Sequence, residues 1–345
     1  MDCVEPMKIP FISLLVLASF LFVPITVAHS PLSTGDNESL AKATIVPDPT
    51  KSWAIYSELH EGGEAQYYRF EMAEGQRIHI SLLTSTDPEN SGFTPGVVLM
   101  GPGITAQGTV PEYVEVPEGV GSRVVVGKQP AQATYEAFSP SNFYSLADLE
   151  LDAPTSGTYY VAVYEPSRGG HYSIAIGDRE AYTISEYILI PIRLISVYQW
   201  EGQSLALVLA PMGITIAVGL ELMVWRWRNQ GIPQTPSGWV GALAGLFFLG
   251  TGATVLFQMV FSLTKAPVTP EIGITLVFAL MPILLSIGIL RIALRRGRKV
   301  NARTRIYLAI LGITAFFAWA GLLVGPALAL VASVLPSRAS EVEPR

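Results

Sequence analysis

Residue 203 is where this chain changes solvent. Beyond it lie four long apolar stretches with almost no charge, whereas nearly every acidic residue and all 4 histidines precede it. Residues 29–203 hold 9 Lys+Arg against 22 Asp+Glu, net −13, and residues 204–345 hold 12 against 4, net +8. A chain so divided cannot fold around one core. An acidic module that faces water must be joined to one embedded in lipid.

Residues 1–28 read as a secretory signal. Met7-Lys8 gives the positive start, Ile9 to Val23 the apolar run, and Thr26-Val27-Ala28 the short side chains before a cut at His29. Asp2 and Glu5 are out of place in such a leader and point to a start at Met7; an uncleaved anchor helix is the other reading, for which the run is short. The only cysteine, Cys3, lies in this leader. The exported region must therefore hold together by its core, which ~175 residues can supply. Thiol nucleophiles, cysteine zinc sites and cysteine-ligated clusters are excluded from it. Asn37-Glu38-Ser39 is a glycosylation sequon close to the mature start, expected to be accessible.

Between residues 50 and 180, short alternating runs are broken by Gly, Pro and Ser. Ala65 to Met72, Gln76 to Leu83, Gly96 to Met100, Ser122 to Val126, Ala147 to Leu151, Gly157 to Tyr164 and His171 to Ile176 read as strands. Alternation of this kind marks half-buried antiparallel strands, and so many within 29–183 predict an all-β sandwich.

Tyr68-Arg69-Phe70, Ala73-Glu74-Gly75-Gln76-Arg77-Ile78, Ala153-Pro154, Ser156-Gly157-Thr158-Tyr159-Tyr160-Val161 and Gly170-His171-Tyr172-Ser173 together carry a resemblance. Over residues 50–178 the chain resembles the bacterial pre-peptidase C-terminal domain, a small jelly-roll β-sandwich appended to secreted or surface proteins. The matching residues are structural: Gly75 and Gly157 suit turns, and the tyrosines suit core and corner positions. The resemblance implies a binding or accessory module and carries over no catalytic residue. The departure from the family's usual setting is that no peptidase motif accompanies the domain here.

Asp148, Glu150 and Asp152 alternate with Leu149 and Leu151 and so share one strand face, where oxygen ligands suit calcium; the same spacing also suits a plain solvated face. His79 alternates with Ile78 and Ile80 and belongs to a polar face, while His60 and His171 fall at loop or strand edges. After cleavage His29 would offer an amine and an imidazole together, a pair suited to copper(II). That site needs a further histidine, and nothing in the sequence places His60, His79 or His171 beside it.

Residues 184–203 read as an interfacial segment along the membrane, with a last sandwich strand as the alternative. Residues 204–336 then read as an all-α bundle of four transmembrane helices, at about 204–225, 238–262, 272–293 and 306–335. Arg226 and Arg228 follow the first, and seven basic residues from Arg291 to Arg305 follow the third, against only Lys265 between the second and third. The positive-inside rule puts both basic loops in the cytoplasm, with the N-terminal domain and the tail 337–345 outside. Apart from Glu221, near the basic end of its helix, no ionisable group lies deep in a span, which argues against proton relays and ion-coupled transport. Gly241 to Gly245 and Gly321 to Gly325 offer small-residue packing faces, and Pro211, Pro282 and Pro326 are expected to bend their helices.

These features lead us to expect a non-enzymatic cell-membrane protein whose sandwich binds a glycan, a protein or an envelope component, or which serves as an accessory subunit through self-association or a partner membrane subunit. Copper or other metal handling through His29 is the alternative. No nucleophile motif or phosphate loop appears, and nucleic acid is not among the expected partners.

Overall fold

A computed structural model describes residues 30–230, 235–294 and 301–335. The leader, with His29, the basic residues 295–300 and the tail 337–345 lie outside the described residues.

The N-terminal half is a two-layer β-sandwich. Its strands are β1 (Ser30–Pro31), β2 (Thr44–Ile45), β3 (Trp53–Leu59), β4 (Glu64–Met72), β5 (Arg77–Ser85), β6 (Gly96–Gly101), β7 (Gly121–Val125), β8 (Thr134–Glu136), β9 (Ser141–Asp152), β10 (Gly157–Glu165) and β11 (Gly170–Ile176). One sheet runs β1-β3-β11-β5-β9-β8 and the other β2-β4-β10-β6-β7. The longer pairings are antiparallel, whereas β1 and β2 each add a short parallel strand at an edge. The seven expected strands are present, and β1, β2, β3 and β8 are added to them.

Alternation along each strand builds the interior. On β5, Ile78, Ile80 and Leu82 turn inward while Arg77, His79 and Ser81 face out. Ile55, Leu99, Val161 and Ile174 meet them in a sealed layer between the sheets. Each such side chain contributes ~1.5–3 kcal/mol by leaving water. Tyr68, Tyr159 and Tyr172 are also sealed, and their hydroxyls find partners. The Tyr68 and Tyr172 oxygens lie 2.6 Å apart, and Tyr172 donates to Gln66 Oε1 at 2.6 Å. Gly75, with φ +78°, makes the tight turn from β4 to β5, a conformation that side chains with a Cβ resist.

Helix α1 (Ile184–Trp200) occupies the segment read as interfacial, so the strand alternative does not form. A reciprocal cap starts it: Thr183 Oγ1 accepts from the Glu186 backbone N–H, and the Glu186 carboxylate accepts from that of Thr183. It lies on the outer face of the six-stranded sheet. Lys51 Nζ holds Glu186 at 2.9 Å near one end, and at the other Trp200 meets Tyr56 edge-on with centroids 5.1 Å apart.

Three further helices, α2 (Leu205–Gln230), α3 (Pro236–Leu263) and α4 (Ile272–Ala293), are long and apolar enough to cross a membrane. The fourth span expected over 306–335 does not form. The chain there makes α5 (Ala302–Phe317) and α6 (Val324–Val334), joined by a turn in which Trp319, Gly321, Leu322 and Leu323 all have positive φ. The two helices run antiparallel. Gly312 faces Ala329 and Leu330, and the Arg305 guanidinium donates to the carbonyls of Ser333, Val334 and Leu335 at 3.0–3.1 Å. Leu335 therefore returns to the end of the bundle where α5 began. An unbroken span would have put it at the opposite end, as the expectation of an extracytoplasmic tail required. The physical cause is the left-handed turn ahead of Gly325 and Pro326, which a bent but continuous helix does not allow.

Candidate functional site

The outer face of the six-stranded sheet carries the carboxylates singled out in the sequence. Asp148 Oδ1 lies 2.9 Å from His79 Nε2, and Glu150 Oε1 lies 3.9 Å from the same nitrogen. Ser81 Oγ donates to Asp148 Oδ1 at 2.9 Å, and Arg77 pairs with Glu150 at 2.5 Å. His79, Asp148 and Glu150 could offer three ligand atoms within 4.8 Å of one another. Asp152 is not in that group; it stands opposite Arg77 in the β5–β9 register. The fold thus assembles a mixed nitrogen and oxygen set with an arginine on one carboxylate. Calcium favours about six to eight oxygens instead.

A second acidic group lines a cleft of ≈ 260 Å³ that includes Asp36, Asn37, Glu38, Glu58 and His60. Glu38, His60 and Glu64 come within ligand range of one another there. The Glu64 carboxylate already accepts from the His60 backbone N–H at 2.5 Å, and its bond to the imidazole raises the His60 pKa. Asn37 is a correction. The sequon asparagine is 2% exposed, its amide donating to the Tyr67 carbonyl at 3.2 Å, because residues 36–43 fold down over the five-stranded sheet. A glycan acceptor must reach solvent, and this nitrogen does not.

His29 itself lies outside the described residues, but its successor Ser30 pairs with Trp53 at one end of β3. His171 pairs with Glu58, five residues along the same strand, or ~17 Å away. The strand register thus separates His171 from the start of β1.

The feature that sequence reasoning did not anticipate is the joint between the halves. The β8–β9 segment reaches the end of the bundle where α5 turns into α6. Tyr135 Oη and Thr275 Oγ1 lie 2.7 Å apart, and Thr275 donates to the Ala137 carbonyl at 2.7 Å. Ala133, Tyr135 and Ala137 pack with Ala266, Met259 and Leu263. Phe138 meets Phe278 and Trp319 edge-on, while Tyr187 of α1 donates to the Phe317 carbonyl at 2.7 Å. The left-handed turn between α5 and α6 is thus capped by aromatic groups from the sandwich side. Nearby, Gln203 and Gln258 exchange amide hydrogen bonds at 2.9 Å, which satisfies a fully buried polar group on α3.

A cavity of ≈ 130 Å³ remains between α1 and the sheet. Leu83, Phe138, Phe143, Ile190, Leu194 and Val197 give it apolar walls, and Glu136, Tyr182, Arg193 and Glu201 bring polar groups to them. Burial pushes the Glu201 carboxyl up to about 8, against the opposing effects of Ser141, Lys265, Asn142 and Gln203. Burial also raises Glu136, whose carboxylate accepts from the Phe138 backbone N–H at 2.9 Å. Arg193 Nη1 and Tyr182 Oη are sealed from solvent without a hydrogen-bond partner. Two carboxyl groups raised by burial and two unpaired donors in one small cavity are far from the satisfied core a purely structural contact would build.

No family model matches the chain, and no curated protein matches it. A solved structure with some similarity is the pre-peptidase C-terminal domain of collagenase from Bacillus anthracis. It is 19% identical, covers 38% of this chain and 91% of that domain, and superposes with a TM-score of 0.21. At that score the likeness carries no argument, and the sandwich rests on its own two sheets.

Proposed function

We propose that this is a non-enzymatic membrane protein that presents an acidic, extracytoplasmic β-sandwich to a ligand or partner at the cell surface, as an accessory subunit of a membrane assembly. The observation that carries the reading is the seating of the sandwich on the helices through Tyr135, Phe138 and α1. A domain tethered only for retention needs a linker, whereas one that works with a membrane partner gains from a defined orientation. The acidic cleft around Glu38, Glu58 and His60 supports recognition of a cationic group on a protein, a glycan or an envelope polymer.

The test is to purify the full chain in mild detergent and identify the chains and polymers retained with it. The reading expects a stoichiometric companion whose retention falls when Glu38 and Glu58 are replaced together by Gln. A chain that stays alone at low salt, or a companion indifferent to those replacements, would count against it. Sidedness is tested in intact cells with an impermeant maleimide, which should label Thr264→Cys and leave Asn301→Cys unlabelled.

A further inference from the structure

We propose that the cavity between α1 and the six-stranded sheet binds a small monocarboxylate, its carboxylate paired with Arg193 and Tyr182 and its apolar body held between Phe138, Leu83 and Ile190. This site is separate from the acidic cleft and does not depend on what the sandwich recognises there.

The argument starts from the arginine. A guanidinium does not lose its proton in a protein, so Arg193, partly buried and with Nη1 sealed from solvent, brings a charge to the cavity wall that an incoming anion can balance. Among the described residues none forms an ion pair with it, and Nη1 lacks any acceptor. Two carboxyl groups that share the cavity lining are committed elsewhere. Glu136 accepts from its own turn, through Phe138 N, and Glu201 from Ser141, Asn142 and Gln203. Burial raises both carboxyls, and Glu201, pushed up to about 8, does not balance the arginine at neutral pH.

Tyr182 supplies the second donor. Burial and the fields of Glu180 and Glu186 raise its pKa, which keeps the hydroxyl protonated, and that hydroxyl has no acceptor either. One incoming group with two acceptor oxygens and a negative charge satisfies both donors at once. A phosphate or sulfate would bring more oxygens than the apolar walls could serve, each left without a partner at a cost. Size sets the remainder of the ligand. A closed cavity of about 150 Å³ accepts benzene, so ≈ 130 Å³ that is partly open to solvent admits one small ring whose far edge stays in the opening.

The experiment uses the full chain in mild detergent with 4-fluorobenzoate as the probe, followed by ¹⁹F NMR and thermal melting, and with 4-fluorobenzylamine and fluorobenzene as controls. The expected result is saturable one-to-one binding of the benzoate with a raised melting temperature, and no such binding of the amine. Tyr182→Phe should weaken it by about tenfold, the equivalent of one hydrogen bond to a charged group. Arg193→Met should abolish it. Without ligand the same variant should melt no lower than the wild type, since it removes an uncompensated charge. Leu83→Phe, which fills the cavity and spares both donors, should abolish binding as well. Absence of benzoate binding, equal binding of the amine, or binding that survives either Arg193→Met or Leu83→Phe would overturn the proposal. So would a ligand-free Arg193→Met that melts well below the wild type, because Arg193 would then be a structural residue with its charge already balanced.

Discussion

The interior of the sandwich is closed to water and the cavity beneath α1 is only partly so, and they treat polar groups in opposite ways. Between the sheets, each tyrosine hydroxyl brought inside meets a partner: Tyr159 donates to the Thr155 carbonyl at 2.7 Å, and Tyr68, Tyr172, Gln66 and Ser57 form one connected set. In the joint, Arg193 and Tyr182 hold donors without acceptors, and Glu201 keeps its proton to about pH 8. The first region is built for stability alone. The second keeps polar groups in a costly setting, which is the pattern of sites that bind or respond rather than merely pack.

The largest effect expected from this contrast lies in the sandwich. Tyr159→Ala removes a sealed ring that stacks on Phe70 with centroids 6.3 Å apart, and should cost about 3–5 kcal/mol in denaturant unfolding. A loss under ~1 kcal/mol would mean that the interior is loosely packed and the contrast is false.

The joint should show itself next, through pH. The Glu201 carboxyl releases its proton near its ordinary value of 4.5 when unfolded and only at about 8 when folded. Because the folded state binds the proton more tightly, rising pH favours the unfolded state across that window. Stability should therefore fall from about pH 4.5 to about 8 and level off above it, and Glu201→Gln should flatten the slope in a series of thermal melts. A wild-type profile that rises over that window would place Glu201 in water.

Two smaller effects sharpen the comparison. Tyr135→Phe deletes one hydroxyl at the joint and leaves Thr275 its bond to Ala137, so unfolding of the full chain should lose about 1 kcal/mol. On the open face of the sheet, Arg77→Gln breaks a half-exposed pair with Glu150 and should change stability by less than about 0.5 kcal/mol.

The sequence makes some of this legible and hides the rest for definite reasons. Period-two alternation from Arg77 to Leu82 reports directly which side chains face inward, because that pattern is local. Hydropathy could not separate α5 from α6, since Trp319, Leu322 and Leu323 are as apolar as the helices they join; Gly321, Gly325 and Pro326 were the available signal of a turn. The sequon at Asn37 carries no information on burial, which depends on Tyr67, thirty residues away. The joint draws Glu136, Tyr182, Arg193 and Glu201 from separate segments and has no local pattern at all. Its only trace was the charged Arg193 within an otherwise apolar run.

The claim on which the account turns is that the sandwich sits directly on the membrane helices, and the contact between Ala137 and Thr275 tests it most directly. Ala137→Cys and Thr275→Cys, combined in a chain whose Cys3 is replaced by Ser, should be joined within one molecule by a short thiol cross-linker in intact membranes, while either single replacement gives no product. Failure of the pair to join in folded protein, or joining only between two molecules, would contradict the seating of the sandwich on the bundle and with it the cavity built beneath α1.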